Sequence, residues 1–316
     1  MSLNQHAVRI ACSVIIAVAV VAVVACGDGG PHSSTGSSAI QRSTEQPAGP
    51  QAVGDMATDG LAWINFRRTQ AGLQVLQRDA RLDRAAHAHA EYQQLNNRIT
   101  HHEEAARTGF SGVTSADRLR AAGYPLDTDA RADGEVIAAI AEPDGFAAAE
   151  GLLGAIYHRY LILEPRFDLA GAGDAHRGGG YYWLNVNFIA SRGSAGLGAG
   201  RIAVWPLPGQ QQVRTRVFSD QETPDPVAGR DTVGYPVSIH ASLGDRLRVE
   251  RFTLRARGDA ALPVIQLDAH TDPETPASAA AIIPLARLRG STVYDVTFAG
   301  NIDGMPMEMH WSFTTR

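Results

Sequence analysis

The stretch FAAAEGLLGAIYHRYLILEPRFDLAGAGDAHRGGGYYWLNVNFIA (residues 146–190) combines the two patterns that decide the fold. Its first part is mostly apolar from Phe146 to Leu163 and is closed by Pro165, so it predicts one helix. His158 interrupts this apolar helix, either as a hydrogen-bonded core residue or as one wall of a polar cleft. The last part, GGYYWLNVNFIA, is rich in aromatic and β-branched residues and predicts a strand. Helices followed by strands favour an α+β layer structure over a βαβ repeat.

Helical patterning also dominates the residues before this stretch. In DARLDRAAHAHAEYQQLNN, Asp79 is the N-cap candidate, and Leu82, His89 and Tyr92 share one face. His89 is therefore predicted to lie in the core, whereas His87 faces another direction. Two more helices are predicted in TDGLAWINFRRTQAGL (58–73) and TSADRLRAAGY (114–124).

The C-terminal third has a different character. SRGSAGLGAGR (191–201) predicts a linker, and short β-like runs such as RIAVW, YPVSIH, RLRVERFTL, VYDVTF and MHWSFTT follow it between Gly, Pro and Asp turns. This pattern predicts a β-sandwich over residues 202–316.

The N-terminus predicts a route to the membrane. Arg9 is the only basic residue before the apolar run IACSVIIAVAVVAVVAC (10–26), which is too short and too rich in small residues for a confident membrane span. The run ends in VVAC, which resembles a bacterial lipobox, so residues 1–26 are predicted to be a lipoprotein signal peptide with Cys26 as the lipidated residue. Lipid chains on Cys26 would anchor the protein in the cell envelope; an uncleaved anchor and ordinary secretion are the alternatives. Residues 27–55, rich in Gly, Ser, Pro and Gln, predict a flexible tether.

Charge and motifs exclude several classes of function. The net charge is −5, and the 28 cationic residues are all Arg and are interspersed with acidic residues, so no basic stripe exists for nucleic acid. No G-x-S-x-G elbow and no P-loop occur. The run HHEEAA fails the H-E-x-x-H metalloprotease pattern because Ala106 stands where the second His is needed.

Five segments together resemble the CAP superfamily (cysteine-rich secretory protein, antigen 5 and pathogenesis-related proteins), in particular its bacterial branch. In order they are WINFRRTQAGLQVLQRDARLDRAAHAHAEY, ITHHEE, DRLRAAGY, DGEVIA and AIYHRYLILEPRFDLAGAG. The resemblance covers residues 58–190, and the corresponding domain is placed at 56–190. It implies an α-β-α sandwich with a central cleft that is lined by two His and two Glu.

Transferred residue by residue, the cleft positions are His101, Glu135 and His158. His102 is the alternative to His101 for the first of these positions. The fourth position stays open between Glu150 and Glu103. Two departures from the family pattern leave it so: Val136 replaces the usual Asn, and Leu152 replaces the usual Trp.

The chemistry of this residue set leaves several functions open. Two imidazoles and a carboxylate suit a divalent cation such as zinc, although no cofactor is certain. A Glu135–His158 hydrogen bond that only ties a helix to the sheet is the scaffold alternative.

We expect an envelope-anchored binding module for a small amphipathic ligand (lipid or sterol-like) or an envelope-derived ligand. The alternatives are a metal-dependent hydrolase of envelope peptide or glycan, and a spacer or adhesion protein with a vestigial cleft. The segments TPDPVAGRDTVGYPVSIH and STVYDVTFAG also resemble bacterial Ig-like domains, for which no active site is predicted.

Overall fold

The computed structural model describes residues 9–11, 48–178 and 180–316. The predicted lipobox with Cys26 and most of the predicted tether lie outside these residues, whereas Arg9–Ala11 form a strand whose backbone pairs with the main sheet. Within the described residues, no helix combines the length and the apolar character that a membrane crossing requires.

The N-terminal part of the fold is a five-stranded sheet between helices. The sheet order is β1-β3-β5-β4-β2, and all neighbours are antiparallel except β2 and β4. In chain order the elements are β1 (Arg9–Ala11), α1 (Met56–Gln70), β2 (Gln77–Arg78), α2 (Ala80–Asn96), α3 (Ser115–Ala121), α4 (Leu126–Asp129), β3 (Ala130–Ile140), α5 (Gly145–Gly154), α6 (Ile156–Ile162), β4 (Leu169–Ala175) and β5 (Tyr182–Ser191).

The helices cover both faces of this sheet, which confirms the predicted α-β-α sandwich. Helices α2 and α3 pack on one face, and α1 and α5 pack on the other. Helix α2 lies directly on β4 because Gly171 and Gly173 have no side chains there. A Cβ at either position would come within 2.2 Å of the α2 backbone, near Asp83 and His87 respectively.

The helix starts agree with local sequence signals. Asp79 accepts a hydrogen bond from Arg81 N at the start of α2, and Thr114 forms a capping box with Asp117 at the start of α3. Gly72 and Gly123 follow α1 and α3 with positive φ angles of 76° and 84°, as helix-ending glycines do.

The prediction of one helix from Phe146 to Leu163 is wrong, because the chain forms two helices that are separated at Ala155. Ala155 has an extended backbone (φ −80°, ψ 128°). The freed amides of Ile156 and Tyr157 each donate to the Glu222 carboxylate at 2.8 Å. Glu222 lies 66 residues further along the chain, so local periodicity carries no signal for this break.

Residues 202–316, here called the β region, confirm the predicted all-β C-terminal part. One sheet has the order β10-β13-β14, a second has the order β11-β12-β9-β6, and β7 pairs with β8 as a separate two-stranded ribbon. The strands are β6 (Ala203–Trp205), β7 (Arg216–Phe218), β8 (Thr232–Gly234), β9 (Val237–His240), β10 (Leu247–Ala256), β11 (Val264–Leu267), β12 (Ala279–Pro284), β13 (Val293–Ile302) and β14 (Met305–Thr314).

One hydrophobic cluster runs from the helices of the N-terminal part into both sheets of the β region. It includes Leu153 and Ile162 on one side and Trp205, Tyr235 and Val237 on the other, all at most 2% exposed. The two parts of the chain therefore share a core.

Candidate functional site

A buried ionic network lies where α2, α3 and the loop between them meet β3. Glu135 on β3 accepts two hydrogen bonds from Arg118 Nη2, at 2.8 and 2.9 Å. Its Oε2 atom also lies 2.8 Å from His101 Nδ1. The structure therefore brings together two of the three predicted cleft residues, and it adds an arginine that the sequence reasoning did not single out.

A second carboxylate, Glu103, belongs to the same network. Its Oε1 lies 2.7 Å from His89 Nδ1 and accepts a 2.9 Å hydrogen bond from the Ser111 hydroxyl. The other ring nitrogen of His89 lies 3.9 Å from Glu135. Of the two candidates for the fourth cleft position, Glu103 is thus the one that shares the network with Glu135.

The network keeps both carboxylates ionised. Burial by itself raises the pKa of Glu135, but the charges of Arg118, His89 and His101 lower it well below the ordinary value. For Glu103, burial again acts to raise the pKa, and the hydrogen bonds from His89 and Ser111 lower it.

An open cleft of about 270 Å³ lies beside this network. Its lining includes His101, Glu135 and the exposed His102, together with charged residues on its walls. Asp133 stands two residues before Glu135 on the strand and so shares its face. Burial and the nearby Glu135 raise the pKa of Asp133 to about 6. The remaining charged residues of the lining are Arg120, Asp127, Arg131 and Arg192.

His158 does not join this cleft, which corrects the predicted convergence of three residues. Gly134 faces Leu161 of α6, so Glu135, the next residue on β3, points to the opposite face of the sheet. His158 is fully buried, and its Nδ1 lies 3.2 Å from Glu222 of the β region. The scaffold alternative predicted a hydrogen bond between Glu135 and His158. It is also wrong, because His158 contacts Glu222 instead of Glu135.

Glu150 also lies apart from the cleft. It accepts hydrogen bonds from Trp63 Nε1 at 2.8 Å and Arg67 Nε at 2.9 Å. Its role in the structure is to tie α5 to α1.

The residues of the network do not fit a metal ion. Both oxygens of Glu135 lie within 2.9 Å of the Arg118 guanidinium, which would repel a cation at that position. In residues 48–178 and 180–316, no three His, Cys, Asp or Glu side chains are arranged to hold a metal.

Two members of the network, Arg118 and His89, were not predicted as site residues. His89 was predicted to be a satisfied core histidine, and it is fully buried and hydrogen-bonded through both ring nitrogens. No local signal distinguished Arg118, because Arg120 also stands next to Leu119 on the same helix and is exposed.

The comparison with protein families agrees with this architecture. The family model described as "Cysteine-rich secretory protein family" (CAP) matches residues 61–189. No curated protein is significantly similar to the chain.

The solved structures to which the chain is similar include bacterial proteins described as extracellular, outer surface or secretory. An extracellular protein containing an SCP domain from Bacillus anthracis str. Ames is 26% identical, with 45% of each chain covered and a TM-score of 0.35. An outer surface protein from Borrelia burgdorferi is 19% identical, with 42% of this chain and 90% of that chain covered and a TM-score of 0.35. A cysteine-rich secretory protein from Staphylococcus aureus subsp. aureus Mu50 is 18% identical, with 43% of this chain and 38% of that chain covered and a TM-score of 0.31.

This chain therefore spans less than half the length of the first and third of these proteins. The family match and the helix–sheet–helix layers cover the same residues. The segment from residue 61 to residue 189 is a CAP domain of the cysteine-rich secretory protein family.

Proposed function

We propose that the protein is a non-catalytic binding module of the bacterial cell envelope. In this proposal, the CAP domain holds a small, polar, envelope-derived ligand in the cleft over Glu135. An exposed position in the envelope agrees with the extracellular and surface proteins that share the domain. Anchoring through lipidated Cys26 is part of the proposal, and mass spectrometry of the membrane-associated protein would test it. A protein whose Cys26 carries no lipid would contradict the anchor.

The single observation that supports this proposal is the ionised network at the floor of an open cleft. Arg118 Nε and Asn187 Nδ2 are buried and have no hydrogen-bond partner within the described residues. Neither residue lines the cleft, so a ligand would meet the network through His101 and Glu135, which do line it. The charged walls of the cleft favour a polar ligand over a sterol-like one.

No observation favours the hydrolase alternative over binding. A general base must reach the proton it abstracts, whereas the carboxylates of Glu135 and Glu103 are held by Arg118, His101, His89 and Ser111. The spacer alternative differs from our proposal in one measurable respect, since a spacer has no saturable ligand.

We also propose that the β region is an Ig-like domain and that residues 56–190, 191–201 and 202–316 are the CAP domain, the linker and this second domain. The strand orders β6-β9-β12-β11 and β10-β13-β14 correspond to the A-B-E-D and C-F-G sheets of a constant-type Ig domain. Tyr294 near the start of β13 accepts a 2.8 Å hydrogen bond from Arg289 N, as in the tyrosine corner of such domains.

The tyrosine corner gives a direct test of this assignment. Tyr294→Phe leaves Arg289 N without its acceptor, so we expect the free energy of unfolding to fall by about 1 kcal/mol in urea titrations. Equal stability of the variant and the wild-type protein would count against an Ig-like corner at this position.

The cleft can be tested by blocking it. We expect soluble fragments of envelope glycan and peptide to raise the melting temperature of the full chain through binding to the folded state. Ala116→Trp, on the α3 wall of the cleft, should abolish this rise. Ala121→Trp is the matched control because Ala121 is exposed on the same helix and is not part of the cleft lining. If no fragment stabilises the protein, or if both variants bind equally well, the cleft is not the binding site.

A further inference from the structure

A cavity larger than the cleft over Glu135 lies between the CAP domain and the β region. Its volume is about 570 Å³, which is within the range of small-molecule sites. On the CAP side it is floored by small residues of α5 and the turn after it, including Ala148, Gly151 and Ala155. On the other side it is closed by Val217 and Val233 of the two-stranded ribbon.

This cavity differs from the cleft over Glu135 in its lining. The two sites share no lining residue. The floor of the interdomain cavity is built of Ala, Gly and Val side chains that cannot hydrogen-bond, so it can accept an apolar chain without leaving buried polar groups unsatisfied.

Three arginines of the lining, Arg214, Arg216 and Arg316, give the cavity a cationic side. Arg216 is exposed, half-buried Arg214 lies next to Gly154, and both belong to the lining. Within the described residues, neither guanidinium forms an ion pair or a hydrogen bond; Arg216 lies over the Phe218 ring at 5.0 Å.

The lining of the cavity also contains three acidic residues, Glu142, Asp144 and Glu222. Glu222 is engaged by the amides of Ile156 and Tyr157 and by His158. Asp144 caps α5 by accepting a hydrogen bond from Ala147 N, and Glu142 is exposed to solvent. Glu142 and Asp144 also form no ion pair within the described residues, so the lining has an acidic end at the start of α5 and a cationic end at the ribbon.

We propose that this interdomain cavity binds a single-chain amphipathic anion, with the alkyl chain over α5 and the anionic group at Arg214 and Arg216. The shared chemistry is an alkyl chain that ends in a carboxylate or a phosphate. A free fatty acid and a lysophospholipid are two sources of this chemistry, and the experiment below separates them.

The test uses the fluorescence of cis-parinarate, a fatty-acid probe, on the full chain. We expect saturable binding that palmitate displaces if the source is a fatty acid, or that lysophosphatidylglycerol displaces if the source is a lysophospholipid. Hexadecanol, which has the chain but no charge, should displace the probe about tenfold less well than the anion of equal length.

Two variants locate the site. Gly151→Leu projects a side chain into the cavity: a Cβ there meets no described atom within 4 Å, and Leu favours the helix more than Gly does. It should abolish probe binding, whereas Gly193→Leu, at another glycine with open space, should not. The double variant Arg214→Gln/Arg216→Gln should weaken binding about tenfold or more, and Arg248→Gln, an exposed arginine on β10, should leave it unchanged.

The outcome is independent of the cleft over Glu135. Ala116→Trp should leave parinarate binding intact even though it blocks that cleft. Probe binding that survives Gly151→Leu, or that hexadecanol and palmitate compete for equally, would overturn the proposal. A loss of binding in Ala116→Trp would assign the probe to the CAP cleft instead.

Discussion

At the scale of single residues, the chemistry of this protein depends on buried charges that have partners. Arg118 and Glu135 are at most 3% exposed and lie 2.8 Å apart. Removing one partner of such a pair leaves an uncompensated charge in the core, whereas removing both charges can be nearly neutral.

A double-mutant cycle tests this pairing. We expect Arg118→Met and Glu135→Gln each to lower the free energy of unfolding by about 3–5 kcal/mol, and the double variant to lose less than the sum. Urea titrations of the four proteins give the coupling energy. Strict additivity would mean that the two charges do not stabilise each other.

Glu164, two residues after α6, is a buried carboxyl group at the contact between the two parts of the chain. Its Oε1 accepts hydrogen bonds from Arg166 N at 2.9 Å and Leu243 N at 2.8 Å. Burial raises its pKa from 4.5 to about 7, although these hydrogen bonds act in the opposite direction. A carboxyl group whose pKa is raised on folding stabilises the protein fully only below the unfolded pKa, so its contribution is lost as the pH rises from about 4.5 to 7.

Glu164→Gln keeps the acceptor and removes the titration. We expect the variant to be more stable than the wild-type protein by about 1–3 kcal/mol at pH 8 and equal to it at pH 4.5, measured by urea unfolding at both values. Buried His240, whose pKa burial and Arg159 lower to about 3, adds an opposite loss below pH 6.5. It is present in both proteins and cancels in the comparison. A stability difference that does not change with pH would contradict this account.

At the scale of elements, the break between α5 and α6 is made by a residue of the β region. Glu222 accepts the first two amide hydrogens of α6 and contacts His158. Because these amides cannot bond within the helix, a carboxylate at this end stabilises the helix start.

Removing this cap tests its role. Glu222→Ala should lower the free energy of unfolding by about 1–2 kcal/mol and speed hydrogen exchange at the amides of residues 156 and 157. Asp220→Ala, an exposed acidic residue on the same turn, should change neither measurement. Unchanged exchange at residue 156 would show that the cap is not needed.

At the scale of the whole molecule, the CAP domain and the β region are joined by a buried arginine. Arg159 donates to Leu153 O at 2.7 Å and to Pro236 O at 2.8 Å, and its guanidinium lies 4.9 Å from the Tyr235 ring centroid. Two of its hydrogen-bond partners, Pro236 O and the Ser238 hydroxyl, belong to the β region.

The shared core predicts cooperative unfolding. We expect a single calorimetric transition for the full chain, and two separate transitions for Arg159→Ala, because this variant removes the hydrogen bonds across the contact. Two transitions in the wild-type protein would show that the two parts are energetically independent.

The sequence by itself determined the features that depend on neighbours along the chain. The caps at Asp79 and Thr114, the strand Tyr182–Ser191 and the change to short strands after residue 201 are encoded within a few residues each. His101 and Glu135 were both predicted as cleft positions, because the resemblance transfers residues in their order along the chain, but the hydrogen bond between them was not predicted.

Only the tertiary structure decided which face of the sheet each polar residue occupies and which partner it meets. A strand sends successive side chains to opposite faces, so a shift of one residue, from Gly134 to Glu135, separates the ionic network from α6. Glu222 and Pro236 reach α6 from more than sixty residues away. Such contacts leave no periodic signal in the sequence, since they depend on how two separately patterned parts pack together.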